Sequence, residues 1–388
     1  MLAVVCTMAD AQRLVDPVAT LASDPRVQVV ASIAPGQVFD TGLQEWLHQA
    51  GVVIIPWPQA TTTRFDLAVV ASASRALESV HAPVALFAHG VGFNKLTPPV
   101  GTGGSGQGAL PRAVYGLSRE SLLRDGRLLA ARIALAHTEE AKRLAASCPE
   151  AVRAARVVGD GAADRLLSWL GRRDRCRAEL GLAEGDRWVV AASTWGPSSL
   201  IGARRAVLER LVAEAAAAGW RAGLLVHPNV WAAHGTWQVR QWLRPLMLRG
   251  LEVVPVQADW TGVLAAADAV VGDHGSSTVY ATLTGRPLAV ATAGHGDVVR
   301  GSPMECLLSA LPEVTEDGSV LARLRRLRSL QEQAAVAAVA ARVTSHPGEF
   351  ASRTRAVLYD LLGLAEPDAP AVTRPVGSLG WALRRWSA

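Results

Sequence analysis

The sequence predicts an α/β protein made of two doubly wound, Rossmann-like domains facing a cleft. Two observations carry that expectation. Short β-rich apolar runs alternate with amphipathic stretches, the pattern of parallel βαβ units, and midway along the chain the pattern stops and restarts. Length agrees, since 388 residues exceed one ordinary core and suffice for two.

The first array opens with Leu2–Cys6 as a strand and Ala9–Ala22 as a helix. Strands are then expected at Val27–Ile33, Val52–Pro56, Asp66–Ala71, Val84–Ala88, Ala113–Tyr115, Ile133–Ala136 and Arg156–Val158, with helices at Thr41–Ala50 and Glu139–Ala146 among them. Ala162–Ala183 reads as an Arg-rich helical connection. The second array has strands at Trp188–Ser193, Ala222–His227, Leu251–Pro255, Ala269–Gly272 and Pro287–Ala291, and helices at Leu200–Ala218 and Val239–Arg249. Helical sequence fills Gly318–Arg342 and Glu349–Leu362. The expected division is a first domain over 1–170, a second over 184–345, and a helix and tail over 346–388 that return to the first domain. The tail ends in Gly380–Trp386, a short apolar-basic stretch read as packing back or resting on a membrane surface. The Gly-rich segment Thr97–Gly108 reads as a loop able to cover a substrate.

Composition narrows the function classes. No apolar run reaches the roughly 18–20 residues that a membrane span needs. The start, Met1–Val15, lacks the basic opening and apolar core of a signal peptide. The cysteines Cys6, Cys148, Cys176 and Cys306 are scattered without zinc spacing, which points to a reducing cytoplasm and no structural metal. The net charge of +5 is modest, and the Arg-rich segments Arg172–Arg177 and Arg323–Arg328 read as solvated helix faces. Basic balance suits acidic substrates or an anionic membrane face. No aromatic-basic interleaving suggests a nucleic-acid platform. Walker, GxSxG, HExxH and GxGxxG motifs are absent, so no nicotinamide or flavin cofactor is expected.

The richest stretch is Val270–Ala289, read as a buried strand, a turn, a short helix and Gly285-Arg286-Pro287 leading to another strand. The turn Asp273-His274-Gly275-Ser276-Ser277-Thr278 falls where strand meets helix. Free N–H groups and the positive helix end there suit a phosphate or diphosphate, and the serine hydroxyls add donors. The same serines could instead only cap the helix. His89 closes the Val84–Ala88 run and is followed by Gly90, which opens space. A histidine at the carboxyl end of a strand can serve as a general base near neutral pH. His227 closes another strand, before Pro228, and could share the anion site. Thr194 closes the first strand of the second array and could line the same cleft.

These segments, in this order, resemble the CDP-glycerol glycerophosphotransferases of teichoic acid synthesis, a family of GT-B glycosyltransferase architecture. Pro83–Lys95 resembles the family's strand ending in His-Gly with a following lysine. Leu224–Asn229 and Ala267–Pro287 resemble its later histidine strand and its Asp-Tyr-Ser-Ser…Gly-Arg-Pro signature, although His274-Gly275 replaces Tyr-Ser. The resemblance spans roughly residues 80–295. It implies that His89 deprotonates an acceptor hydroxyl. It implies too that His227, Asp273, His274, Gly275, Ser276, Ser277 and Thr278 hold the donor's phosphates, with Gly90, Lys95, Thr194 and Tyr280 lining the cleft. Tyr280 stands where the family has an acidic residue.

The expected function is transfer of glycerol phosphate or a sugar from a nucleotide-diphosphate donor, CDP- or UDP-linked, to a hydroxyl acceptor, with interdomain closure and without a metal. The expected location is the cytoplasm, with peripheral contact at the inner membrane face. A UDP-sugar 2-epimerase and a non-catalytic nucleotide-binding scaffold remain open on the same architecture.

Overall fold

The computed structural model describes residues 1–35, 42–72, 75–97, 112–326 and 329–372. Two sheets organise it, each wholly parallel. The first is built from β1 (Leu2–Val5), β2 (Val30–Ile33), β3 (Val53–Ile54), β4 (Ala68–Val70), β5 (Val84–Phe87), β8 (Arg132–Leu135) and β9 (Ala155–Val157), in the order β3-β2-β1-β4-β5-β8-β9. The second contains β10 (Arg187–Ser193), β11 (Trp220–Val226), β12 (Leu251–Val253), β13 (Ala269–Gly272) and β14 (Leu288–Val290), in the order β12-β11-β10-β13-β14. Inserted in sequence between β5 and β8 of the first sheet, β6 (Leu123–Arg124) and β7 (Arg127–Leu128) form a small hairpin.

Parallel strands covered on both faces need apolar side chains on both faces, which is why the runs are continuous. Leu2 and Val4 enter one core layer of the first sheet, and Ala3 and Val5 the other. Trp188 and Val190 divide in the same way from Val189 and Ala191 in the second sheet. The strand order reverses between β1 and β4 and again between β10 and β13. Beyond the carboxyl ends of strands at such a reversal lies the crevice where open α/β sheets take ligands.

Three readings of the sequence change. Ala113–Tyr115 is no sheet strand, since Val114 makes only a lone antiparallel bridge to Leu96. The β6–β7 hairpin went unread although Asp125-Gly126, both at positive φ (48° and 75°), is the dipeptide of a tight hairpin turn. The connection's arginines are not all solvated. Arg173 (2.9 Å) and Arg177 (3.1 Å) converge on Asp268 just before β13, and both also reach the Ala266 carbonyl. They fasten the connection to the second sheet. The Thr97–Gly108 loop from residue 98 onward, residues 327–328 of the second arginine segment and the Gly380–Trp386 tail lie outside the described residues.

The helix Phe350–Leu362 lies on the first sheet. Phe350, Leu358 and Tyr359 join the layer of Ala3 and Val5, and the Phe87 and Phe350 rings meet edge-on at 6.5 Å. No described helix is long and apolar enough to cross a membrane.

Candidate active site

On the first domain the site is built around the end of β1. Thr7 caps the helix Met8–Ala19, its hydroxyl accepting from the Asp10 N–H at 3.1 Å. Asp10 is 1 % exposed, and its two carboxylate oxygens part company. One accepts from the Thr7 hydroxyl at 2.9 Å. The other accepts from Ser72, just past β4, at 2.6 Å, and faces the His89 Nδ1 at 2.8 Å. Burial pushes the Asp10 carboxyl up, but the hydrogen bonds from His89, Ser72 and Thr7 and the His89 charge outweigh it and hold it below its usual range. An ionised carboxylate only accepts, so Nδ1 of His89 must carry a proton. In neutral His89 the lone pair is thereby left on Nε2, the arrangement of a base. The His89 side chain keeps 30 % exposure, enough to meet a substrate.

On the second domain, Thr194, His227 and Asp273 follow the ends of β10, β11 and β13. His227 takes the opposite tautomer. Its Nδ1 accepts from the Asn229 N–H at 3.1 Å as it caps the helix Pro228–Met247. The proton therefore sits on Nε2, which becomes a donor. Burial, then the charges of Lys95 and His89, press the His227 pKa well below its ordinary value, so the ring is neutral at pH 7. The same influence places Lys95 and His89 in its neighbourhood, so side chains from both domains gather there.

Ser276 and Ser277 open the short helix Ser276–Ala281, half-buried, and neither hydroxyl bonds another described residue. Gly90 lies directly on Ser276: a Cβ built at Gly90 would stand 2.6 Å from the serine oxygen. The His89-Gly90 turn of one domain thus touches the serine turn of the other. Lys95 also crosses. Its Nζ donates to Thr194 Oγ1 at 3.1 Å and lies 5.6 Å from the Trp195 ring centroid. Its segment bridges to the second domain through the Leu96 N–H, which donates to the Asp297 carbonyl at 3.0 Å, and through the Val299 N–H, which donates to the Asn94 carbonyl at 2.8 Å. Burial lowers the Lys95 pKa, opposed by Asp273 and Asp297.

Four residues expected to hold phosphate, Asp273, His274, Gly275 and Thr278, and one expected to line the cleft, Tyr280, have other tasks. Asp273 is wholly buried and its oxygens accept from the Thr194 (2.8 Å), Leu200 (2.9 Å) and Gly275 (2.9 Å) N–H groups. A carboxylate so occupied shapes the turn rather than meeting a phosphate. Burial pushes it up to about 6 despite those bonds. His274 is 2 % exposed, bonds Thr292 Oγ1 through Nδ1 at 2.8 Å, and is pushed down to about 4 by burial. It is a neutral spacer beneath the turn. Thr278 packs back on β13, where a Cβ at Gly272 would stand 2.1 Å from its hydroxyl. Tyr280 does not line an open cleft. Its hydroxyl, in a residue 2 % exposed, donates to Asp160 at 2.8 Å and accepts from Arg13 at 2.9 Å. Gly275 is buried too, and a Cβ there would stand 3.0 Å from the Thr194 side chain.

Sequence reasoning missed Asp10, Ser72, Arg13 and Asp160. Thr7-x-x-Asp10 after the first strand carries a signal, because it has the spacing of a helix-capping pair. The contact with His89 spans 79 residues and leaves no local trace. Arg13 joins the two halves: it reaches the Ala88 carbonyl at 3.0 Å, next to His89, as well as Asp160 and Tyr280. Among the described residues no group of three or more His, Cys, Asp or Glu is placed to hold a metal ion. A cavity of about 490 Å³ lies far from this chemistry, between the amino ends of β5 and β8 beside Arg132 and Arg153.

No protein-family model matches the chain, and no curated protein does. Solved structures do. The wall teichoic acid polymerase TagF aligns with a TM-score of 0.62 at 13% identity, covering 94% of this chain and 88% of that one. A TagF variant soaked with CDPG aligns with the same TM-score at 11% identity, covering 94% and 88%. HepE of Anabaena, solved with UDP and glucose, aligns with a TM-score of 0.52 at 15% identity, covering 94% of this chain and 99% of its own. The chain has the GT-B glycosyltransferase fold, two doubly wound domains about a shared crevice.

Proposed function

We propose that the protein is a transferase that moves glycerol phosphate or a sugar from a nucleotide-diphosphate-activated donor to a hydroxyl acceptor. The observation that carries this reading is the juxtaposition across the domain boundary of His89, held by Asp10, with Ser276 and its turn. One side offers a base and the other offers hydrogen-bond donors for an anion. The fold supports a nucleotide-activated donor, since HepE was solved with UDP and glucose and a TagF variant was soaked with CDPG.

In this reading the donor's diphosphate rests at Ser276 and Ser277, with His227 donating from Nε2 and Lys95 supplying positive charge. His89 accepts the acceptor's O–H proton through Nε2 as the new bond forms. The leaving phosphate gathers charge as its bond breaks, and donors aimed at it stabilise the transition state more than the ground state. Asp10 touches no substrate and acts by fixing the His89 ring and tautomer. The Asp10→Asn variant is expected to lower kcat about 10²-fold with KM and melting temperature nearly unchanged, which steady-state kinetics and a thermal melt check together.

The identity of the leaving group distinguishes the two transfers. Attack at the β-phosphorus of CDP-glycerol forms a new P–O bond and releases CMP, whereas attack at a sugar carbon forms a C–O bond and releases the nucleoside diphosphate. Incubation with each donor and a panel of hydroxyl acceptors, followed by chromatography of the nucleotides, therefore names the reaction. Acceptor-dependent release of either nucleotide supports transfer. Epimerised donor without an acceptor, or bound nucleotide with no turnover across the panel, overturns it.

A further inference from the structure

The helix Pro228–Met247 and the turn after it carry an outward face with an unusual composition. Between Pro228 and Gly250 there are three tryptophans, three arginines and no Asp or Glu. The helix is broken at Gly235, which sits at φ 74°. Beyond the break, Val239, Leu243 and Leu246 turn into the core of the second domain. Trp237, Gln241, Arg244 and Leu248, spaced i, i+4, i+7 and i+11, share the opposite face and are all exposed. Trp237 is 72 % exposed and Leu248 67 %. Trp242, about 140° around the helix from Trp237, lies off this stripe with its ring 4.8 Å from that of His234, and the exposed Arg249 follows Leu248.

Single exposed apolar residues need no explanation. Here a tryptophan and a leucine stand on one helical face with Arg244 between them, and neither Arg244 nor Arg249 pairs with a carboxylate among the described residues. Tryptophan favours the headgroup boundary of a bilayer, and arginine can lay its stem along apolar surface while its guanidinium meets phosphate. A second copy of this face would set unpaired arginines against each other, whereas an anionic surface complements both properties at once. We propose that this face of the helix docks on an anionic lipid surface. Trp237 and Leu248 enter the headgroup boundary while Arg244 and Arg249 meet lipid phosphates. The helix begins at its His227 cap, so docking would also fix the site's second domain relative to the membrane.

The test is sedimentation of the full chain with phosphatidylcholine vesicles made with and without phosphatidylglycerol. The wild type is expected to sediment with the anionic vesicles only, and less at high salt. Two exposed-site variants, Trp237→Ser/Leu248→Ser and Arg244→Gln/Arg249→Gln, are each expected to bind on the order of tenfold more weakly at unchanged melting temperature. Failure of the wild type to bind either vesicle overturns the proposal. Undiminished binding by both variants also overturns it, by moving the contact elsewhere in the chain. Self-association of the wild type that the Trp237→Ser/Leu248→Ser variant abolishes, without lipid binding, would replace the membrane with a second copy.

Discussion

Replacing His89 by alanine is expected to lower transfer about 10³-fold while the fold and nucleotide binding persist. His89 stands at the surface end of β5 and is 30 % exposed, so its loss opens no core cavity. What goes is the nitrogen lone pair that Asp10 and Ser72 orient from the other side of the ring. The donor-side groups Ser276, Ser277 and His227 belong to the other domain and are untouched. Kinetics with a nucleotide titration separates the two effects. Loss of nucleotide binding in a folded His89→Ala protein would contradict this division of labour, and so would transfer at the wild-type rate.

The largest expected effect on stability comes from Asp160→Ala. Asp160 is fully buried where the helix Met8–Ala19 of the first domain meets the helix Ser276–Ala281 and the helix Gly161–Leu170, whose Ala162, Ala163, Leu166 and Trp169 pack in the core of the second sheet. Its carboxylate takes both terminal nitrogens of Arg13, the Tyr280 hydroxyl and the Ala163 N–H that it caps. Burial pushes its pKa up, but the Arg13 charge and these bonds outweigh it, so the group is ionised. Removing it strands a guanidinium that is only 13 % exposed and leaves a helix end uncapped. Breaking a buried pair in this way costs about 3–5 kcal/mol, and the melting temperature is expected to fall by on the order of 10 °C. Replacing the pair by apolar groups tests the cause, because Arg13→Met/Asp160→Ala should recover much of the loss. An unchanged melting temperature in Asp160→Ala would mean that the network does not hold the domains together. Arg13 also bonds the carbonyl before His89, so the same variant should slow turnover.

Nearby, Arg165 pairs with Asp16 and reaches Asp259 at 3.3 Å, while Gln12 donates to the Val256 carbonyl at 2.7 Å. The boundary between the domains is therefore polar and buried, which a linear reading cannot find. Its partners lie 147, 149 and 244 residues apart. The strands were legible because a parallel sheet covered on both faces demands unbroken apolar runs. The helix Pro228–Met247 was read from Val239 only, since Pro228 and the left-handed Gly235 hide its first turns.

At the site, His89 and the serine turn were visible as polar residues ending apolar runs. Asp273 and His274 carried the same signal, yet burial gives them structural work. A carboxylate or imidazole at a strand end looks alike in sequence whether it faces a ligand or three backbone N–H groups. Asp10 shows the converse case, a residue read as part of a helix start that reaches across the sheet to orient a base.

The most direct test is thermal stabilisation by CDP, UDP, GDP, ADP and their glycerol or sugar conjugates, in the wild type and in Ser276→Ala. A ligand present at about 100 times its dissociation constant adds about 2.7 kcal/mol to stability. The account predicts a clear rise in melting temperature with one nucleotide class, reduced in Ser276→Ala. No rise with any nucleotide, or an equal rise in Ser276→Ala, would contradict a donor diphosphate held at the Ser276 turn.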